Sequence, residues 1–210
     1  MFWRITLSTI LASSLFGPAF ADEAAIHLAV APPTLRVRAQ DALPDTMPAT
    51  ATVAGARGET ESFQLVVRAD GASLKGVVVT HSALENDEGT MIPAEAVTIF
   101  REVFVPVRHS VRRATEPPGL IPDPLVPFVN PYTGESIPEP RWEGSQRVGP
   151  RFGADRFELW PGHNQPLWID IAIPYGTPAG TYRGTIRVKA DGVPEVSVPV
   201  ELTVWDFDLP

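Results

Sequence analysis

The stretch PLWIDIAIPYGTPAGTYRGTIRV, residues 166–188, reads as a strand, a tight corner and a second strand. Leu167, Ile169, Ile171 and Ile173 fall on one face of the first strand, and Trp168, Asp170 and Ala172 on the other, because successive side chains of a strand point to opposite sides. After the corner, Tyr182, Gly184, Ile186 and Val188 alternate with Thr181, Arg183, Thr185, Arg187 and Lys189. One face is built for a core and the other for water, the signature of an antiparallel sheet covered on one side. Val196, Val198, Val200, Leu202 and Val204 repeat the pattern. Pro199 on the opposite face predicts a sheet edge or a bulge there, since proline cannot donate to a ladder.

Working outward, further strands are predicted at Ile26–Val30, Thr34–Arg38, Glu61–Arg68, Lys75–His81 and Val97–Val105, with Asp70-Gly71 and Asp191-Gly192 as turns. Helical periodicity is scarce, and 23 prolines would interrupt long helices. The corner, with Gly180 and Tyr182 as its structural residues, resembles the tyrosine corner of immunoglobulin-like sandwiches, although Gly184 stands where those domains carry a strand cysteine. The expected fold is therefore all-β, an immunoglobulin-like antiparallel β-sandwich. Between Pro106 and Pro166 lie 12 of the 23 prolines. That interval is read as a long proline-rich insert, ordered by packing of Leu120, Leu125, Phe128, Tyr132 and Trp142, and as the segment best placed to carry function.

Residues 1–21 carry one basic residue, Arg4, an apolar run from Ile5 to Phe16, and Ala19-Phe20-Ala21 ahead of Asp22, the form of a cleavable signal peptide. The run is shorter than the roughly 20 residues a membrane span needs, so the chain is expected to be secreted or periplasmic, with residues 22–210 forming a single β-sandwich domain and no membrane span after cleavage. Cleavage after Ala21 removes Arg4 and takes the net charge from −8 to −9, which argues against a nucleic-acid partner. Without cysteine there is neither a disulfide framework nor a thiol nucleophile.

The chain carries no Gly-x-Ser-x-Gly elbow, phosphate loop, dinucleotide fingerprint or His-Glu-x-x-His. His27, His81, His109 and His163 lack metal-ligand spacing, and no cofactor is implied. Glycosidases need two carboxylates at a set separation. Glu59 with Glu61, Asp206 with Asp208, and Glu139 with Glu143 are the pairs available. Contact with backbone or with Arg57 or Arg68 is the simpler reading for the first pair, and packing of the chain end for the second. Asp123 is read as a turn residue. Trp142, Trp160, Tyr132, Trp168 and Trp205 are the candidates for contact with a sugar ring or with a partner domain.

The segments ARGETESFQLVVRADG (56–71), FREVFVPV (100–107), PDPLVPF (122–128), 165–188 and VPVELTVWDFDLP (198–210) together resemble the N-terminal domain of glycoside hydrolase family 123 and related proteins of unassigned function. The resemblance implies a β-sandwich that precedes a (β/α)8 barrel, with WDFDLP as the exit towards it, and an N-acetylhexosaminidase-type parent whose Asp-Glu pair lies in that barrel. No residue of this chain matches the pair, so the resemblance implies a non-catalytic accessory domain whose partner is a C-terminal catalytic barrel. The alternative is a free-standing carbohydrate-binding module whose partner is a glycan.

Overall fold

The computed structural model describes residues 23–210, apart from residue 45 and the segments 110–116, 139–140 and 150–152. The expected signal peptide therefore lies outside the described residues. The strands, in chain order, are β1 (Ala25–Ala31), β2 (Ala51–Arg57), β3 (Thr60–Asp70), β4 (Leu74–His81), β5 (Leu84–Asn86), β6 (Met91–Ile92), β7 (Val97–Val107), β8 (Gly119–Pro127), β9 (Arg141–Glu143), β10 (Gln146–Val148), β11 (Phe157–Leu159), β12 (Asn164–Ala172), β13 (Gly180–Ala190) and β14 (Val193–Asp208). The only helical element among the described residues is a 3₁₀ turn at Ala94–Ala96.

One sheet runs β1-β3-β12-β7-β8 and the other β11-β4-β13-β14-β2, with β5 and β6 attached beside β13. All pairings are antiparallel except β14 with β2, which is parallel. The all-β sandwich expected from the alternation is thus the observed fold. Phe63, Leu65, Val67, Leu167, Ile169, Ile171 and Ile99 from the first sheet meet Val77, Val79, Tyr182, Ile186, Val188, Val198, Val200, Leu202 and Val204 from the second in one buried cluster. Each such side chain contributes about 1.5–3 kcal/mol relative to exposure. Pro199 lies one residue before β14 first meets β2, at Val200↔Ala51, where β14 pairs only with β13.

The corner forms as its sequence predicts. Gly180 enters β13 at φ +146°, a conformation that disfavours any side chain. Tyr182 is fully buried, and its hydroxyl donates to the Pro178 carbonyl at 2.9 Å. Gly184 sits where space is tight: a Cβ there would lie 3.1 Å from both the Ala83 carbonyl oxygen and Leu84 Cγ.

Three expectations need correction. Thr34–Arg38 is not a strand but part of a turn-rich segment, because Leu35 N–H bonds back to the Pro32 carbonyl and Gln64 Nε2 donates to the carbonyls of Pro32 and Leu35. The segment instead covers the outer face of the first sheet, where Val37 packs with Ala29, Ala31 and Val66. The insert, expected to be ordered by packing of Leu120, Leu125, Phe128, Tyr132 and Trp142, contains β8, the β9–β10 hairpin and β11, with β8 held by a main-chain ladder to β7 while Leu120, Leu125 and Tyr132 are exposed. Asp123 is no turn residue. Glu102 and Phe104 face Leu125 and Pro122, so Asp123 and Pro124 form the bulged part of β8.

Replacing Tyr182 by Phe is expected to lower the unfolding free energy by about 1–2 kcal/mol, because the Pro178 carbonyl loses its donor inside the corner. Urea midpoints of the two proteins check this; equal midpoints would remove the corner hydrogen bond from the account.

Candidate functional site

The end of β14 is the first place where side chains leave the sandwich in a fixed geometry. Val204 faces Gly55 of β2, but the next paired residue, Asp208, faces Arg57. Two extra residues on β14 must bulge, and a bulge re-aims side chains and bends the strand. Trp205 and Phe207 consequently stack with centroids 5.8 Å apart, and they are 45% and 49% exposed. Asp206 and Asp208 both turn to Arg57, which donates from Nη1 to Asp206 at 3.3 Å and from Nε to Asp208. Arg57 Nη1 also reaches the Thr177 carbonyl at 3.4 Å. The hydrogen bond that Arg57 donates to Asp208 raises its pKa most, burial opposes it, and the smaller contribution of Asp206 adds to the rise.

Beyond the bulge, Leu209 N–H donates to the Arg57 carbonyl at 2.8 Å, and the Tyr175 hydroxyl donates to the Leu209 carbonyl at 3.0 Å. The exit of the strand is thus tied down on both sides. Its acid pair is spent on an arginine rather than held a set distance apart for chemistry.

The Glu59–Glu61 pair behaves as its simpler reading predicted. Glu59 Oε2 accepts from the Ala56 N–H at 2.6 Å, closing the turn between β2 and β3. Burial, with a smaller contribution from the Glu59 charge, raises the Glu61 pKa. Arg68 goes to Asp70 and Asn164 instead. Of the insert pair, Glu139 lies outside the described residues.

The aromatic candidates separate. Tyr132 and Trp160 stand in solvent at 96% and 68% exposure. Trp168 is half-buried on the outer face of the first sheet, facing Gln64 on β3 and Phe100 on β7. Its indole N–H donates to Asp170 Oδ1 at 2.6 Å, and that same oxygen accepts from Ser62 Oγ at 2.6 Å. Trp142 sits on β9, but its side chain lies outside the described residues. The exposed apolar residues of the insert, Leu120, Leu125, Val129 and Tyr132, do not share a sheet with Trp205 and Phe207.

One cluster was not singled out from the sequence. Arg101 and Glu102 interrupt the apolar run of β7. Arg101 lies over the Phe157 ring at 4.7 Å and donates to Gln165 Oε1 at 2.9 Å, and burial pushes its pKa down to about 10. Gln165, itself buried, donates to the carbonyls of Glu102 and Pro166. Glu102 points to the other face, is 7% exposed, and has an Oε1 without a hydrogen-bond partner. Burial pushes its pKa up to about 7. The signal was available as two adjacent charges in the middle of VTIFREVFVPV.

Comparison with known proteins places this geometry. A family 123 glycoside hydrolase from Clostridium perfringens superimposes with a TM-score of 0.68 at 14% identity, over 89% of this chain and 28% of that one. The chain thus spans little more than a quarter of that hydrolase. AvmM, which catalyses macrocyclization in alchivemycin A biosynthesis, matches with a TM-score of 0.41 at 10% identity, over 88% of this chain and 92% of that one. A PapD-like domain of human CEP192 matches at 0.32 and 9% identity, over 98% and 99%. No protein-family profile and no curated sequence matches the chain. The hydrolase likeness shows a shared fold; the described residues form a β-domain without a (β/α)8 barrel.

Glu102 generates a pH prediction. Its folded pKa of about 7 lies above the ordinary 4.5, so between these values the folded state holds the proton more tightly than the unfolded one. Stability from this group is then fully present below about pH 4.5 and is lost as pH rises towards 7. Glu102→Gln is expected to flatten that slope and to be more stable than the parent at pH 8, by on the order of 2 kcal/mol. Urea midpoints of both proteins at pH 5 and pH 8 check it; parallel curves would contradict it.

Proposed function

We propose that this chain is an exported, non-catalytic accessory domain of a glycoside hydrolase-like, N-acetylhexosaminidase-type protein, and that it packs on a C-terminal (β/α)8 barrel through the end of β14. The observation that carries the reading is the superposition over nearly all of this chain on just over a quarter of a family 123 hydrolase, taken with an apolar stack at the strand end. Trp205 and Phe207 offer aromatic area to a partner, and the Arg57–Asp206–Asp208 cluster holds the strand so that this area keeps one orientation. Export rests on the form of residues 1–21. Trp160 and Tyr132, which stand in solvent, favour a second reading, in which the domain itself binds glycans.

Two measurements separate these readings. The reading frame downstream of the Pro210 codon is expected to continue for about 200 or more residues of alternating strands and helices, with an Asp-Glu pair. A stop codon there, together with saturable binding of N-acetylhexosamine-containing glycans lost on Trp160→Ala, would favour the binding module. The chain itself is expected to leave a chromogenic N-acetylhexosaminide intact; turnover abolished by Glu59→Ala or Glu61→Ala would make it an enzyme.

A further inference from the structure

Along one side of the sandwich a cleft lies beside the edges of two strands, β4 and β7. β4 pairs with β13 over Val78–His81, whereas β11 reaches its other side only at Leu74 and Val77. The N–H of Ser82, just past β4, donates to the Thr185 carbonyl, so even-numbered residues here turn their main-chain groups towards β13. By the alternation of an antiparallel ladder, Val79 and His81 turn theirs away from it. Among the described residues no strand pairs with that side. Across the gap, the ladder between β7 and β8 starts at Phe100, and the Phe128 N–H donates to the Ile99 carbonyl, so Val97 and Thr98 are the residues of β7 that pair with β12 alone.

Between these edges lies a cleft of about 990 Å³. Val79, Val97, Ile99 and Phe128 form its apolar floor. Its wall carries Glu95, which is exposed, and Asp155, whose Oδ1 is buried without a hydrogen-bond partner. Among the described residues the one arginine of the lining, Arg156, is bonded to Asp191. Among the described residues the one phenyl ring of the lining is that of Phe128, which is largely buried.

We propose that this cleft binds an extended peptide segment as an added strand on β4. Main-chain hydrogen bonds to Val79 and His81 hold the segment, an apolar side chain drops onto Phe128, and a lysine or arginine beside it pairs with the negative charges of Asp155 and Glu95. Strand addition takes affinity from main-chain bonds and selectivity from pockets for alternate side chains, and both halves are present here. The inference does not depend on the reading of β14 as a barrel contact.

The test is titration of the isotope-labelled full chain with acetyl-Val-Lys-Val-Lys-Val-Lys-amide, followed by amide NMR, beside the same peptide with Glu in place of Lys. Saturable shifts centred on Val79 and His81, at least about tenfold weaker with the Glu peptide, are expected, because three positive charges become negative beside Asp155 and Glu95. Two further peptides, N-methylated at alternate residues, leave the protein untouched. One is expected to lose at least about tenfold and the other to stay within about twofold, because only one edge of the added strand bonds to β4. Equal losses from both, no saturation at millimolar peptide, or the same amides responding to an N-acetylglucosamine disaccharide instead, would overturn the proposal.

Discussion

The register of β12 is the constraint on which the first sheet depends. β12 pairs with β3 over nine residues and with β7 over five, so Leu167, Ile169 and Ile171 point to the core from the centre of the sheet. A one-residue slip would carry this set to the outer face and bring Trp168 and Asp170 inside. The outer face is built on the same register. Asn164 at the start of β12 donates to the carbonyls of Arg38 and Asp41 and Gln64 on β3 to those of Pro32 and Leu35, which pins the covering segment over its small apolar cluster. Gln165 then ties β12 to β7 through the Glu102 carbonyl.

Ion pairs contribute unequally. Arg183 with Asp87 and Glu201, and Arg187 with Glu195, lie on the wet face of the second sheet, where exposed pairs are worth little. Arg57 is different in what it replaces. Its contacts with Asp206 and Asp208 occur where the ladder between β14 and β2 skips, so side-chain bonds hold the strand where main-chain bonds do not.

The strands with clear alternation and a buried face, β3, β12, β13 and β14, were legible because hydrophobic periodicity sets them directly. The tyrosine corner was legible because its residue types leave few alternatives. β2 was not: ATVAGAR has little apolar bulk, and it is a strand because the edge of β14 accepts it in parallel. Thr34–Arg38 failed for the opposite reason, since its apolar residues cover a sheet face instead of joining a ladder. β8 was hidden by its prolines, which an edge strand and a bulge tolerate and a central strand does not. Of the candidate residues, Trp205 in WDFDLP was visible, but its stack with Phe207 and the partnership of the two acids with Arg57, 149 and 151 residues away, were not. The cleft left no trace in the sequence, because it is made by where two ladders stop.

The strand end and the cleft are far enough apart to act separately. Both border β13, but Val204 faces Gly180 at its start, whereas His81 faces Ile186 and Val78 faces Lys189 towards its end. Six residues of strand separate Gly180 from Ile186, a distance of about 20 Å, and β14 and β4 lie on opposite sides of β13. A domain resting on Trp205 and Phe207 would therefore contact one end of the second sheet and leave the open edge of β4 accessible. An extended segment in the cleft would in turn complete the seam between β4 and β7 without disturbing the Arg57 cluster. The two places would act independently because the core is closed between them by β13, with Tyr182 and Ile186 fully buried.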